Sequence, residues 1–309
     1  MTPRTLVAIL GPTASGKSAL GVALAERHDG EVVSCDSTAV YRGFDIGTDK
    51  VSAEERRGVA HHLVDVADPL EAYSAARYAR EASAVIRDIS ARGRLPILVG
   101  GTGFYYRALA RGLFAGPGRD AAMRARLAAI ARRRGPERLH RLLACVDPPS
   151  AARIQPRDEK RMIRALEVYF LTGRPLTEHF VETASPLPEY DIVGFVLHPP
   201  SETIAERIAR RVDAQFARGI VAEVEELRRA GVPDTALPFT GLVYRQVLEY
   251  LGGVRDEQET RALIVRENKR YARRQLIWFR KEPNLRWIHR LGDDPAALAS
   301  IEDALASVS

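Results

Sequence analysis

The pattern of apolar and polar positions changes period several times along the chain, and those changes mark out its elements. The unbroken run Leu6 to Leu10 (Leu-Val-Ala-Ile-Leu), within Thr5 to Leu10, has the length and β-prone content of a buried strand. A glycine-containing turn follows, and then Lys17 to Arg27 reads as a helix. Glu31 to Ser34 reads as a second short strand, Tyr73 to Arg92 as a helix, and Leu95 to Val99 as a third buried strand that ends in Gly100-Gly101. Strands alternating with helices predict an α/β fold, a parallel sheet with helices on both faces.

After Leu113 the character changes. Gly116-Pro117-Gly118 breaks the chain, and the next seventy or so residues are helix-forming and rich in Arg and Ala, without a convincing strand. Tyr190 to Leu197 then reads as a returning strand closed by Pro199-Pro200. Helices are predicted at Glu202 to Arg218, Val221 to Ala230, Tyr244 to Leu251 and Glu259 to Lys281. The expected organisation is a catalytic core from residues 1–111 and 189–309, interrupted by an all-helical insertion domain at 112–188.

Composition adds limits. A chain of 309 residues with 46% hydrophobic and 28% charged residues can bury an ordinary globular core. Cys35 and Cys145 stand far apart and outside any CxxC pattern, so neither a disulfide framework nor a zinc site is indicated, and a reducing compartment fits. No stretch approaches the length of a membrane span, and folded sequence from about residue 4 leaves no room for a targeting peptide, so a cytoplasmic protein is expected.

Charge is uneven. The net is +6, yet residues 261–290 alone carry ten Lys or Arg against two Glu, leaving the other 279 residues at −2 (36 basic, 38 acidic). A second stretch, Arg124 to Arg141, has seven arginines and one glutamate. Solvated helix faces can look like this, but two local patches on a mildly acidic body suit a polyanionic partner. In the last long helix Arg266, Arg273 and Arg280 recur every seven residues on one face, with Ile264, Tyr271 and Trp278 on the packing side, which is the layout of a phosphate-backbone contact surface.

The candidate chemistry starts at Gly11-Pro12-Thr13-Ala14-Ser15-Gly16-Lys17-Ser18. This is a G-x-x-x-x-G-K-[ST] P-loop placed directly after a strand and opening a helix. Its backbone N–H groups and the helix N-terminus would cradle a di- or triphosphate, Lys17 would meet terminal phosphate oxygens, and the Ser18 hydroxyl would ligate Mg2+. The strand Leu95 to Val99 lacks a terminal Asp of the kind that holds the metal in NTPases. Asp36, at the end of the second strand, lies on the same sheet edge as the P-loop and is either a turn carboxylate or a group reaching the reacting centre. Thr102, in Gly100-Gly101-Thr102-Gly103, would present its hydroxyl at that edge. His61-His62 point to opposite sides of an extended chain and read as structural or hydrogen-bonding residues.

Beyond the P-loop, the chain carries Asp36-Ser37, Val40-Tyr-Arg-Gly-Phe-Asp-Ile-Gly-Thr48, His61-His-Leu-Val-Asp65 with Asp68-Pro69, Tyr73-Ser-Ala-Ala76, Leu98-Val-Gly-Gly-Thr-Gly103, Arg164-Ala-Leu-Glu-Val168, Thr172-Gly173 and Arg273-Arg-Gln-Leu-Ile-Trp-Phe-Arg280. With these, nearly the whole sequence resembles the tRNA dimethylallyltransferases, also called tRNA isopentenyltransferases. The resemblance implies dimethylallyl diphosphate as donor, N6 of the adenosine 3′ of the anticodon as acceptor, and tRNA bound through its anticodon stem-loop. It implies Asp36 as general base, Thr102 holding acceptor or donor, Arg211 stabilising the departing diphosphate, and the P-loop as a diphosphate cradle with Mg2+ as cofactor. RNA contacts are implied at Asp36, Ser37, Thr38, Ala39, Thr102, Arg124, Lys160, Arg161, Arg164, Tyr244, Arg245, Arg274, Gln275, Trp278, Arg280 and Lys281. A monomer is expected. The sequence departs from the family pattern at Cys35, at Thr38-Ala39 in place of Met-Gln, and at Val243, where a Gly usually precedes Tyr244. It lacks a C-terminal Cys/His module, which suggests a bacterial-type enzyme. A dimethylallyltransferase using AMP, a P-loop small-molecule kinase and an RNA-binding ATPase are the rival readings.

Overall fold

The computed structural model describes residues 4–114 and 116–307. The chain divides into two compact units, one of the described residues up to Ala110 and from Pro186 onward, the other Arg111–Ser185. The first is built on a six-stranded sheet: β1 Arg4–Leu10, β2 Gly30–Cys35, β3 His61–His62, β4 Leu95–Gly100, β5 Tyr190–Leu197 and β6 Leu285–Ile288. Its order is β3-β2-β4-β1-β5-β6 and every pairing is parallel. Parallel neighbours require crossovers, and helices supply them: α1 Lys17–Arg27, α2 Ala75–Ala91 and α3 Gly103–Ala110 precede the second unit.

Side chains alternate across the strands, so each strand feeds two cores. Val7, Ile9, Val32, Ile97, Val99, Val193 and Phe195 pack with Leu20 and Leu24 of α1 in one cluster. That cluster also holds Ala297 and Ile301 of the last helix, Pro295–Ala306. Leu6, Ala8, Leu10, Val33 and Leu98 are buried on the other face, toward α2, whose Tyr78, Ala82 and Ile86 are also buried. Helices therefore cover both faces. Each such aliphatic side chain contributes ~1.5–3 kcal/mol by leaving water.

The register places the site. Leu10 pairs with Gly100 and Gly100 with Cys35, so β1, β4 and β2 end level at their carboxyl edge. Gly100 allows that close approach, because a Cβ there would collide with the Cys35 carbonyl.

The Arg111–Ser185 unit is helical: α4 Ala121–Arg134, α5 Pro136–Val146, α6 Pro148–Arg153, α7 Glu159–Thr172 and α8 Leu176–His179. Leu127, Leu139, Leu143, Met162 and Leu166 form its core. Asp147 caps α6 through Ser150 N at 3.0 Å and ties in α8 through Thr177 Oγ1 at 2.7 Å. The first unit then adds α9 Ser201–Ala217, α10 Ile220–Arg229, α11 Tyr244–Leu251, α12 Glu257–Phe279 and α13 Pro295–Ala306. The start of α12 is set by a capping box between Asp256 and Glu259.

The strands β3 and β6 and the helix α13 were not foreseen. Two residues of β3 show no period, and β6 (Leu-Arg-Trp-Ile) sits inside a run read as a charged surface. Helix α13 did carry a signal, Asp294 as N-cap before Pro295 at the first helical position. The histidines take the structural roles expected of them: His62 Nε2 lies 2.7 Å from Glu31 Oε2, and His61 Nδ1 lies 2.9 Å from the Val59 carbonyl. Among the described residues no helix is long and apolar enough to cross a membrane.

Candidate functional site

The turn Gly11–Ser18 links β1 to α1 and has the backbone of an anion nest. Ala14 and Gly16 take φ of 63° and 84°, which turns successive N–H groups inward. Gly16 cannot be replaced freely, since a Cβ there would meet the Gly292 nitrogen at 2.9 Å. That contact exposes a brace the sequence did not suggest. The loop after β6 packs on the turn, with Gly292 N donating to the Ser15 carbonyl at 2.8 Å. A second brace comes from α12: Gln275 Oε1 accepts from Thr13 N and its Nε2 donates to the Gly101 carbonyl, both at 2.9 Å. The Ser15 hydroxyl is buried without a partner among the described residues.

These elements enclose a cavity of about 500 Å³ at the carboxyl edge of the sheet. Thr13, Lys17 and Ser18 line it together with Asp36, Arg211 and Tyr271. The lysine's pKa is lowered to about 8, first by burial and then by Arg211, with Asp36 and Asp49 pulling the other way. Among the described residues its Nζ hydrogen-bonds only the Pro12 carbonyl, at 3.2 Å. Arg211 Nη1 donates to Thr13 Oγ1 at 2.9 Å, so α9 delivers a second cation to the turn.

Asp36 is a turn carboxylate that also lines the cavity. Its Oδ1 caps the following turn, accepting from Thr38 N at 2.8 Å, Thr38 Oγ1 at 2.7 Å and Ala39 N at 3.3 Å. Among the described residues no hydrogen bond reaches Oδ2, and the residue lines the cavity. Thr102 stands behind Ser37 and Tyr271, which line the cavity. Its Oγ1 accepts from Ser37 N at 3.0 Å, which ties the Asp36 loop to the turn after β4. Tyr271 was read as a packing residue, yet it faces the cavity, and burial and then the Asp36 charge push its hydroxyl pKa up.

Several of the residues expected to contact RNA are engaged within the protein. Tyr244 is 1% exposed; its hydroxyl donates to Glu223 at 2.6 Å and accepts from Gly47 N at 3.0 Å, so it is a core residue. Gln275 is likewise spent inside the protein, as the brace described above. Arg124 and Arg164, within the helical unit, turn their guanidinium groups onto the fully buried Glu167 at 3.0 and 2.8 Å, because that carboxylate needs neutralising there. Trp278 is half-buried, with Arg107 stacked 4.5 Å from its ring.

The remaining expected contacts are placed differently. Ser37, Thr38, Ala39, Arg245 and Arg274 line the cavity, and the two arginines are exposed at its edge. Arg266, Arg273, Arg280 and Lys281 are exposed in or just after α12, and Lys160 and Arg161 are exposed on α7, where Arg161 pairs with Asp158 at 3.0 Å. Val243 also lines the cavity, and its φ of 73° explains why a glycine suits that position: a β-branched residue there stores strain of ~1–3 kcal/mol.

A parallel α/β sheet with a nest-like turn, two cations and a carboxylate around one cavity has the charge and shape to hold a phosphorylated ligand. A family model described as IPP transferase matches residues 39–282. The chain is 45% identical over 296 residues to a tRNA dimethylallyltransferase of Koribacter versatilis, covering 96% of each, and 46% identical over 283 residues to one of Geobacter sulfurreducens, covering 92% of this chain and 91% of that one. Among solved structures it resembles the full-length tRNA isopentenylpyrophosphate transferase of Bacillus halodurans, at 39% identity and TM-score 0.73 over 99% of this chain and 96% of that one. A eukaryotic dimethylallyltransferase acting on tRNA matches at 26% identity and TM-score 0.80, over 98% of this chain and 80% of that one. The chain belongs to the IPP transferase family and is a transferase.

Proposed function

We propose that this enzyme transfers a dimethylallyl group from dimethylallyl diphosphate to N6 of the adenosine 3′-adjacent to the anticodon in tRNA, releasing diphosphate. The observation that carries the reading is that Lys17 of the anion turn and Asp36 line the same cavity, so a diphosphate donor and a purine amine can meet there. The family's relatives named for tRNA support the acceptor.

The chemistry follows from the residues. The amine's lone pair is delocalised into the ring, so it attacks poorly until a base takes its proton. Asp36 Oδ2 is the acceptor, and such a base contributes typically ~10² to 10⁴ in rate. As the bond from N6 to the prenyl carbon forms, the carbon–oxygen bond to the diphosphate breaks and negative charge collects on the leaving oxygens. Lys17, Arg211 and the N–H groups of the turn meet that charge. The donor set around the turn suits Mg2+ brought in with the ligand: the Ser18 hydroxyl lines the cavity, and among the described residues no cluster of three or more His, Cys, Asp or Glu is placed to cage a metal. Ser18 would hold the ion, which supplies further neutralisation of the diphosphate when bound.

A stacked base cannot reach this cavity, so the adenosine is flipped out of the anticodon loop. Arg245 and Arg274 at the cavity's edge, and Arg273, Arg280 and Lys281 in or just after α12, supply phosphate contacts; Lys160 and Arg161 of the helical unit supply others. A cytoplasmic, monomeric enzyme completes the reading.

The test is to incubate the protein with labelled dimethylallyl diphosphate, Mg2+ and either bulk tRNA or AMP. Label in tRNA at the adenosine N6 is expected. Label in AMP alone, or none in either, would sink the proposal.

A further inference from the structure

The cavity wall holds a carboxylate to which the reaction outlined above gives no task. Asp49 follows the Ile46-Gly47-Thr48 turn, takes φ of 50°, and keeps 18% of its side chain exposed. Two side chains of α9 and one from its C-cap converge on it: Gln215 Nε2 at 2.9 Å, Arg211 Nε at 3.1 Å and, from the C-cap, Arg218 Nη1 at 3.4 Å. These lie four and three residues apart on one helix face, so a single acid gathers all of them. The guanidinium of Arg211 is thereby held at two points, Nε on Asp49 and Nη1 on Thr13 Oγ1, the latter at 2.9 Å.

By charge alone this is a poor place for an acid. A carboxylate beside an anion site repels the anion, and burial works against its ionisation while Arg211 and Arg218 work for it. What Asp49 adds is geometry. A long, flexible arginine that must meet a ligand from a fixed direction loses rotamer freedom on binding unless the protein has already removed it.

We propose that Asp49 is a positioning residue, fixing Arg211 against the anion turn so that its remaining N–H groups wait where diphosphate binds and departs. The proposal rests on the diphosphate-site reading above and goes beyond it by assigning a residue and a role.

Charge and geometry predict opposite signs. Removing a negative charge near an anion site tightens pyrophosphate binding if charge is all that matters, and weakens it if Asp49 positions Arg211. The experiment measures inorganic pyrophosphate binding by calorimetry with Mg2+, alongside transfer kinetics, for wild type, Asp49→Asn, Arg211→Ala and the double variant. Asp49→Glu, which keeps the charge but lengthens the arm, gives a second probe should the Asn variant fold poorly.

The expected result is about tenfold weaker pyrophosphate binding and a lower kcat for both Asp49 variants, the size of one lost charge-assisted hydrogen bond. In the Arg211→Ala background the Asp49→Asn effect should vanish, because no guanidinium is left to position. Unchanged or tighter pyrophosphate binding by Asp49→Asn, or an equal loss with and without Arg211, overturns the role. Wild type that binds no pyrophosphate overturns the anion-site reading and this inference with it, whereas wild-type binding with indifferent Asp49 variants overturns this inference alone.

Discussion

Lys17 offers a direct test of the anion site through protons. In the free protein its pKa is lowered to about 8, by burial first and Arg211 second. A bound diphosphate places negative charge beside the ammonium and returns its pKa to the ordinary 10.5 or above. The complex then holds more protons than the free site, so binding takes up protons and weakens as pH rises. From a free pKa of about 8, the uptake through this group is about 0.1 proton at pH 7, about 0.5 at pH 8 and about 0.9 at pH 9. The affinity lost between pH 7 and pH 9 is at most about tenfold, or ~1.4 kcal/mol. Calorimetry of pyrophosphate binding in two buffers of different ionisation enthalpy reads the proton count directly. Lys17→Arg keeps the charge and does not titrate, so the difference between the two proteins removes the ligand's own protons. Equal proton uptake by wild type and Lys17→Arg at pH 8 would show that Lys17 is not the group facing the anion.

Asp36→Asn should keep pyrophosphate and tRNA affinity near wild type while lowering transfer by ~10² or more, since only the proton acceptor at Oδ2 is lost; near-normal turnover would refute the role. Replacing Arg273 and Arg280 together, exposed residues on one face of α12, should weaken tRNA binding and flatten its dependence on salt. An unaltered slope of log K against log salt would mean that this face meets something other than phosphates. Glu31→Gln probes the opposite end of β2, where Glu31 is held by Arg92, Arg94 and His62, and its pKa is lowered to about 2, chiefly by Arg92. A carboxylate depressed in the folded state contributes stability that is complete above its unfolded pKa, about 4.5, and is lost as pH falls toward 2. The shift is worth ~3 kcal/mol at face value and ~1–2 kcal/mol once the half-solvated arginines are screened. Urea melts at pH 6 and pH 3 should therefore show the gap between wild type and Glu31→Gln closing; a gap of the same size at both pH values contradicts this.

Local signals were legible where one element carries its own pattern. The apolar run of β1, the helical period of α1 and the P-loop between them are short-range features, and together they announce a parallel α/β core with an anion turn. Asp36 was legible as well, because a residue just beyond a parallel strand must emerge at the carboxyl edge whatever the rest of the chain does. The arginines of α12 declared an exposed face by their seven-residue spacing.

Other assignments depend on partners distant in sequence, and those only the tertiary structure decided. Gln275 and Gly292 brace a turn more than 250 residues earlier, and nothing in their own neighbourhoods says so. The resemblance implies an RNA contact at Tyr244, but Glu223 and the Gly47 amide claim its hydroxyl. Arg124 and Arg164 belong to a basic run, yet the buried Glu167 draws both inward, because an unneutralised carboxylate costs more in the core than two exposed cations gain in water. Asp49 meets Arg211 and Gln215 only when α9 folds over it. Periodicity records which side of an element is buried; which polar groups meet once burial has occurred is set by packing between segments that no local pattern connects.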